Sequence, residues 1–442
     1  MLPEAYLNRM RDQLSDEFDE FIKSYEEKPK QALRLNTLKN KDVFGACDKA
    51  FHLSSVEWAS NGYYYEDDDQ PGKHPYHEAG VYYIQEPSAM APVMQLNVQP
   101  GDMVLDLCAA PGGKSTQIAA FLKGEGLLIC NEYISSRAQI LSENIERMGV
   151  SNACVTNESP DRLEQFFPAF FDKILVDAPC SGEGMFRKNP LACDEWSEEN
   201  VKMCAKRQAW ILDRAATMLL PGGRMVYSTC TFSKEEDEDQ IEDFLTGHKE
   251  FKLEKLEKLM PHRIKGEGHF VAVLIKDGDA SKIRRGALND PSLKENRTLN
   301  NMVSVWRSFA NETLTDKAIK RITEGKRYLS FGDNLYLTVS ALPQLKGLKV
   351  VRPGLHLGSI KKDRFEPAHA LALALSSEDV KKTYSLSSND RLSLAYLSGE
   401  TFSAQKEKGW YLICVDEFSM GWGKLAGGIM KNHYPKGLRK HL

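Results

Sequence analysis

Two cysteines carry the sharpest chemical signal in this chain. Cys180 stands in LVDAPCSGEG and Cys230 in MVYSTCTF, each just after a short apolar run that reads as a strand. Both lie downstream of VLDLCAAPGGKS, in which Asp106 ends a strand and a Pro-Gly-Gly turn opens a helix. In open α/β sheets, ligands collect beyond the carboxyl ends of the strands, where the strand order reverses. The two thiols are therefore expected beside the glycine turn. One such cysteine would usually be a small buried apolar group. Two in this setting point to thiolate chemistry next to a bound cofactor.

The turn itself suits a nucleoside. Pro111 shapes it, while Gly112 and Gly113 let the backbone approach a ligand and leave helix N-terminal N–H groups exposed. Its spacing matches neither a Walker A loop nor a full G-x-G-x-x-G. Glu132 falls at the tip of the next strand, about 20 residues further on, where a carboxylate can accept both ribose hydroxyls. Carbon 5 of cytosine is a reaction centre that needs this combination. It becomes nucleophilic only after a thiolate adds at carbon 6, and the thiol must later leave by elimination once the carbon-5 proton is removed. Asp177, in the same segment as Cys180, can face the N3/N4 edge of the base, and Lys114 can orient Asp177 or help hold a thiolate.

These residues need elements to position them. From about residue 100 the chain alternates short apolar runs (MVLDLC, GLLICNE, NACVT, DKILVDA, GRMVYST) with helical stretches such as SRAQILSENIERMG. That alternation predicts βαβ units and a doubly wound parallel sheet, completed by GHFVAVLIK. Before it, residues 1–35 read as an amphipathic helix with a Met and aromatic core stripe. ALRLNTLK is a strand candidate, and 60–80 a loop or boundary. A polar linker is expected at 277–301. The whole divides into 1–80, 81–280, 281–365 and 366–442, consistent with 442 residues being too long for one ordinary core.

Composition narrows the partners. Residues 282–442 carry 27 Lys and Arg against 15 Asp and Glu, whereas residues 1–281 carry 31 against 47. A basic C-terminal third can contact phosphates while the acidic remainder limits indiscriminate binding. Trp422, Lys424, Lys431, Tyr434, Lys436, Arg439 and Lys440 mix cations with aromatics as RNA contact requires, and Arg187 and Lys188 lie where phosphates beside a target base would pass. KEEDEDQIED at 234–243 reads as an exposed acidic helix start. Nine cysteines without a C-x-x-C pair support neither a zinc site nor a disulfide framework. No apolar run is long enough to span a bilayer. The acidic N-terminus is unlike a secretory signal, so the cytoplasm is the expected compartment, and a monomer the expected state.

At VLDLCAAPGGKSTQIAA, ICNEYISSRAQILSEN, KILVDAPCSGEGMFRK, GGRMVYSTCTFSKEEDE, YYIQEPSAM and GWGKLAGGIMKNHYPKGLR the chain strongly resembles the bacterial ribosomal-RNA cytosine-5 methyltransferases of the NOL1/NOP2/sun type, in particular their multidomain RsmF-like branch. The resemblance covers essentially the whole chain. It implies a Rossmann-like class I methyltransferase sheet, an α+β N-terminal RNA-binding module and a small PUA-like C-terminal domain. It further implies S-adenosylmethionine as cofactor and 16S ribosomal RNA or the small ribosomal subunit as partner. By the same resemblance Cys230 corresponds to the attacking cysteine and Cys180 to the one needed for release. Cys108, Ala109, Ala110, Pro111, Gly112, Gly113, Lys114, Glu132 and Asp177 match cofactor-contacting positions. One departure stands out: where many relatives carry an Asp that reads the adenine amino group, this chain has Ser159, leaving Asn157, Glu158 and Asp161 as alternatives. Two rivals remain open. In DNA cytosine methyltransferases the attacking cysteine follows a proline, as Cys180 does. A ribosome-assembly factor would bind cofactor and RNA without turnover.

Overall fold

A computed structural model describes residues 2–280, 297–362 and 364–440. Most of the predicted 277–301 linker lies outside the described residues. The centre is an eight-stranded sheet. Its strands in chain order are β1 Met103–Asp106, β2 Leu127–Asn131, β3 Ala153–Thr156, β4 Phe171–Asp177, β5 Leu219–Thr229, β6 Phe251–Leu259, β7 His269–Lys276 and β8 Val350–Arg352. They lie side by side as β6-β7-β5-β4-β1-β2-β3-β8. The five from β5 to β3 run parallel, and β6, β7 and β8 add antiparallel edges.

The apolar runs make these strands because both faces are covered. Leu105, Ile129, Ile174 and Met225 are buried on one side, and Val104, Leu128, Leu175 and Val226 on the other. This is why the sequence reads as continuous apolar stretches and not as alternation. Helices α1 Gly113–Leu122, α2 Ser135–Arg147, α3 Pro160–Phe166 and α4 Glu198–Met218 cover the faces. Local chemistry starts two of them. Ser159 and Ser197 accept the backbone N–H of Arg162 and Asn200, and Pro160 occupies the first turn of α3, where its missing N–H costs nothing.

The order reverses at β1, which pairs with β2 on one side and β4 on the other. The carboxyl ends of β1, β4 and β5 are thereby neighbours. In the β4–β5 register Asp177 lies opposite Ser228, so Cys180 and Cys230 leave adjacent strand ends within a residue of the same height.

The first 35 residues differ from the single helix their periodicity predicts. They form Glu4–Leu14 and Phe18–Ser24, broken at Ser15, which sits at φ 48°, and then the strand Ala32–Leu35. The apolar stripe is core as expected: Tyr6, Met10 and Phe21 pack with Phe186, Trp196 and Phe232 from the loops after β4 and β5. The 60–80 segment contains the strand Gly62–Tyr64 as well as turns. That strand joins Ala32–Leu35, Tyr82–Ile84 and Ser54–Ser55 in a small antiparallel sheet.

Beyond residue 297, a helix Arg297–Thr313 leads into a four-stranded sheet and then a five-stranded one. Trp306 and Trp422 share one core across these two sheets, and β8 reaches back from this region to extend the central sheet at β3.

Candidate active site

The glycine turn folds as its residue types require. Gly112 has φ 115°, a conformation L side chains rarely adopt, and a Cβ there would stand 3.2 Å from Leu141 Cδ1. The Ala110–Pro111 peptide is cis. Arg137 Nη2 and Asn144 Nδ2, both from α2, donate to the carbonyls of Ala110 and Pro111 at 3.0 and 2.9 Å, fixing the turn from outside.

Beside it opens a cleft of about 310 Å³ lined by Cys108, Ala109, Ala110, Pro111, Gly113, Lys114 and Asp177, joined by Tyr83, Gln85 and Asp106. Gly112 shapes the turn without lining the cleft. Glu132 is also outside that lining. It stands buried at the tip of β2, accepting the Ile134 N–H at 2.8 Å and facing Arg137 at 3.3 Å.

Two polar clusters meet at the strand ends. Lys114 Nζ lies 2.8 Å from Asp177 Oδ2, while Ser228 Oγ donates to Asp177 Oδ1 at 2.8 Å and His269 Nε2 approaches the same oxygen at 3.4 Å. Burial pushes the Asp177 carboxyl up, but the Lys114 charge and the His269 hydrogen bond outweigh it and hold it well below the usual carboxylate range. Burial lowers the Lys114 ammonium, yet Asp177 and Cys230 together raise it above its ordinary value. Next to this pair, Cys180 Sγ and Cys230 Sγ are 3.4 Å apart. The hydrogen bond shared with Cys230, then burial, push the Cys180 thiol well above the ordinary range. Both thiols are partly exposed, unlike six of the other seven cysteines.

Asp106 completes the floor. It is fully buried, accepts from Ser115 Oγ at 2.6 Å, and keeps Oδ1 without a hydrogen-bond partner. Burial pushes it up to about 7. Arg34 braces the turn from the N-terminal sheet. Its guanidinium donates to Gly113 O at 3.1 Å, Thr116 Oγ1 at 2.7 Å and Gln85 Oε1 at 3.0 Å.

Several expectations change. Glu236 and Asp237, placed on an exposed acidic run by the sequence, are buried behind the thiols. Arg187 does not face outward for phosphate: it forks onto Glu267 at 2.8 and 3.0 Å and donates to Ser24 O, leaving only Lys188 exposed. Trp422 and Tyr434 are buried and bonded to Ala368 O and Glu78, so neither can stack on a base. Of the adenine alternatives, Glu158 takes the Lys349 N–H at 2.7 Å, Asp161 pairs with Arg214 at 2.8 Å, and Ser159 caps α3. Asn157 stays at the cofactor end, donating to Glu132 O and Tyr133 O. Sequence reasoning missed His269 and Arg34. Nothing in their spacing marks them, since both reach the site across tertiary contacts.

A parallel sheet with its order reversed at β1, a glycine turn at that reversal and a cleft beyond it define a Rossmann-like methyltransferase domain. Comparison with known proteins agrees. A methyltransferase homologue from Pyrococcus horikoshii superposes with TM-score 0.52 at 27% identity, covering 59% of this chain and 90% of that one. NSun6 from the same organism, at 22% identity and TM-score 0.55, covers 63% and 99% and shares the fold.

Family profiles match almost end to end: the N-terminal domain of 16S rRNA methyltransferase RsmF at residues 2–87, 16S rRNA methyltransferase RsmB/F at 93–275, the first RsmF C-terminal domain at 308–375 and the RsmF PUA domain at 383–440. Ribosomal RNA small subunit methyltransferase F of Vibrio vulnificus is 31% identical over 99% of this chain and 97% of its own length; that of Pectobacterium atrosepticum is 31% identical over 99% and 96%. The chain belongs to the RsmF family of 16S rRNA methyltransferases.

Proposed function

We propose that this protein transfers a methyl group from S-adenosylmethionine to carbon 5 of a cytosine in 16S ribosomal RNA. The observation that carries the reading is the pair of sulfur atoms 3.4 Å apart, with Cys230 beside the Lys114–Asp177 ion pair that lines the cleft. The residues present fit the cofactor: the unpartnered Oδ1 of Asp106 suits its ammonium group, the turn from Cys108 to Gly113 offers backbone, and Glu132 suits ribose hydroxyls. Bound there, it supplies an electrophilic methyl group.

Cys230 Sγ adds to C6 of the cytosine, aided by the positive charge of Lys114. Asp177, held ionised, accepts from the exocyclic N4 amino group. Carbon 5 then takes the methyl group as that group's bond to the sulfonium sulfur breaks, leaving a neutral thioether, and carbon 5 surrenders its proton to a base on the Cys180 side. The S–C6 bond breaks, restoring the aromatic ring. The base must leave its stack to reach this site.

Residues 1–80 serve as an RNA-binding module, 81–280 as the methyltransferase domain, 281–365 as linker and intermediate domain and 366–442 as a PUA-like RNA-binding domain, in a cytoplasmic monomer. Support for RNA contact at the C-terminal end comes from Lys424, which lies 4.8 Å over the Trp410 ring and opposite Lys431 on the next strand.

The test is covalent capture on RNA containing 5-fluorocytosine. Wild type and Cys180→Ala are expected to be trapped and Cys230→Ala not. Capture of Cys230→Ala but not Cys180→Ala reverses the roles. Bisulfite mapping of ribosomal RNA from cells with and without the gene identifies the modified base.

A further inference from the structure

Behind the two thiols lies a buried dipeptide whose neighbouring carboxylates reach different loops. Glu236 Oε2 accepts the backbone N–H of Ser181 at 3.0 Å and Gln208 Nε2 at 2.8 Å, and Glu236 Oε1 accepts from Ser181 Oγ. The same Gln208 amide donates to Pro179 O at 3.1 Å. Glu236 thus holds Ser181 directly and Pro179 through Gln208, the residues on either side of Cys180. Asp237 Oδ1 accepts from Thr229 Oγ1, the residue before Cys230, at 2.6 Å, and its other oxygen lies 3.0 Å from Lys258 Nζ. The loops are cross-linked directly twice more, by Ser181 Oγ to Thr231 Oγ1 at 2.8 Å and by Gly184 N–H to Cys230 O at 2.8 Å.

Burying two adjacent carboxylates is costly unless their oxygens are satisfied, and here nearly every donor they meet belongs to a thiol loop or to the side chain beneath it. A surface helix start, which the run of acids resembles in sequence, has no need of this.

We propose that Glu236 and Asp237 are positioning residues, each for one half of the reaction: Glu236 holds Cys180 for release, and Asp237 holds Cys230 for attack. This rests on the assignment of those roles to the two thiols. Because the two acids are consecutive, both loops are tied to one point of the backbone, and a thiol displaced by about 1 Å loses on the order of 100-fold in its own step.

The experiment uses the full-length protein with cofactor and ordinary 16S ribosomal RNA, reading protein–RNA adduct on denaturing gels alongside methyl transfer. Cys180→Ala, the control, accumulates adduct if the assignment of roles holds; if it does not, that assignment fails before the dipeptide is tested. Given the control, Glu236→Ala is expected to accumulate adduct about tenfold over wild type, with methylated base inside it. Glu236→Gln is expected to restore release, since its one oxygen can still accept from Ser181 N–H and Gln208 while its amide donates to Ser181 Oγ. The near-isosteric Thr229→Val is expected to slow capture on 5-fluorocytosine RNA about tenfold without adduct accumulating on ordinary RNA.

Ser181→Ala, a gentler change, should repeat the Glu236→Ala pattern more weakly even if Glu236→Ala does not fold. The proposal is overturned if Glu236→Ala and Ser181→Ala lower turnover with no adduct, if Glu236→Gln is no better than Glu236→Ala, or if Thr229→Val stalls at release.

Discussion

The cofactor turn and the thiol centre share one end of one sheet, yet they are held by different means. The turn is largely backbone. Residues 108–113 present carbonyls and amides, and the side chains that hold it, Arg137, Asn144 and Arg34, do so from outside by donating to its carbonyls. The thiol centre is held by side chains: Glu236, Asp237 and Glu183, with Glu183 accepting from Phe232 N–H at 3.0 Å and pairing with Arg9 of the first helix. A site made of backbone needs only residues that permit its conformation. A site made of buried carboxylates needs partners brought from far along the chain, and so is coupled to the packing of the N-terminal helices.

That contrast can be broken from the thiol side. Cys230→Ala should reduce methyl transfer by at least about 1,000-fold, as removal of a covalent nucleophile does, while cofactor affinity changes by less than about twofold. Labelled-methyl transfer and titration calorimetry read the two quantities separately. A parallel loss of both would mean that the turn and the thiols are one unit.

Next in size is a pH effect rooted beneath the turn. Asp106 sits near 7 in the folded protein against an ordinary 3.8. The folded state therefore binds the extra proton between these values, and wild type loses stability as pH rises from about 4 to about 7. Asp106→Asn has no such group, so its stability relative to wild type should climb across that window by up to a few kcal/mol and level off above it. Chemical denaturation of both proteins at a series of pH values reads the difference.

Arg34→Met should cost about 2 kcal/mol, because Gly113 O, Thr116 Oγ1 and Gln85 Oε1 lose a shared buried donor. The urea midpoint measures it. Weaker cofactor binding in the same variant would show that the N-terminal sheet governs the turn's hold on its ligand as well as its folding. The smallest effect is expected of Gly113→Val. Its Cβ would stand 3.2 Å from the Tyr83 ring and 3.5 Å from Gln85, narrowing the cleft and weakening cofactor binding about tenfold, roughly 1.4 kcal/mol.

Much of the central domain was legible because both faces of its sheet are buried, which writes each strand as an apolar run and each crossover as a 3.6-residue period. The lining of the cleft was legible for the same reason that its turn folds: Pro111, Gly112 and Gly113 are chosen for backbone shape. Errors fell where a residue type is ambiguous about burial. Glu236 and Asp237 belong to a run of charges that reads as solvent-facing, and the donors of Ser181, Gln208 and Thr229 with the Lys258 ammonium make their burial tolerable. Arg187 looked free because Glu267, its partner, is 80 residues away. Trp422 looked available for stacking because sequence cannot show that Phe309 and Trp410 pack against it.

The doubly wound sheet, the glycine turn and the two thiols at neighbouring strand ends were readable along the chain, since periodicity and turn chemistry are local properties. The pairing of Lys114 with Asp177 was within reach of the sequence, but it took the folded chain to bring His269 to Asp177, Arg34 to the turn and consecutive acids to the two thiol loops. Each of those depends on residues distant in sequence meeting in a region shielded from water, where an unpaired charge is expensive and a paired one is fixed in place.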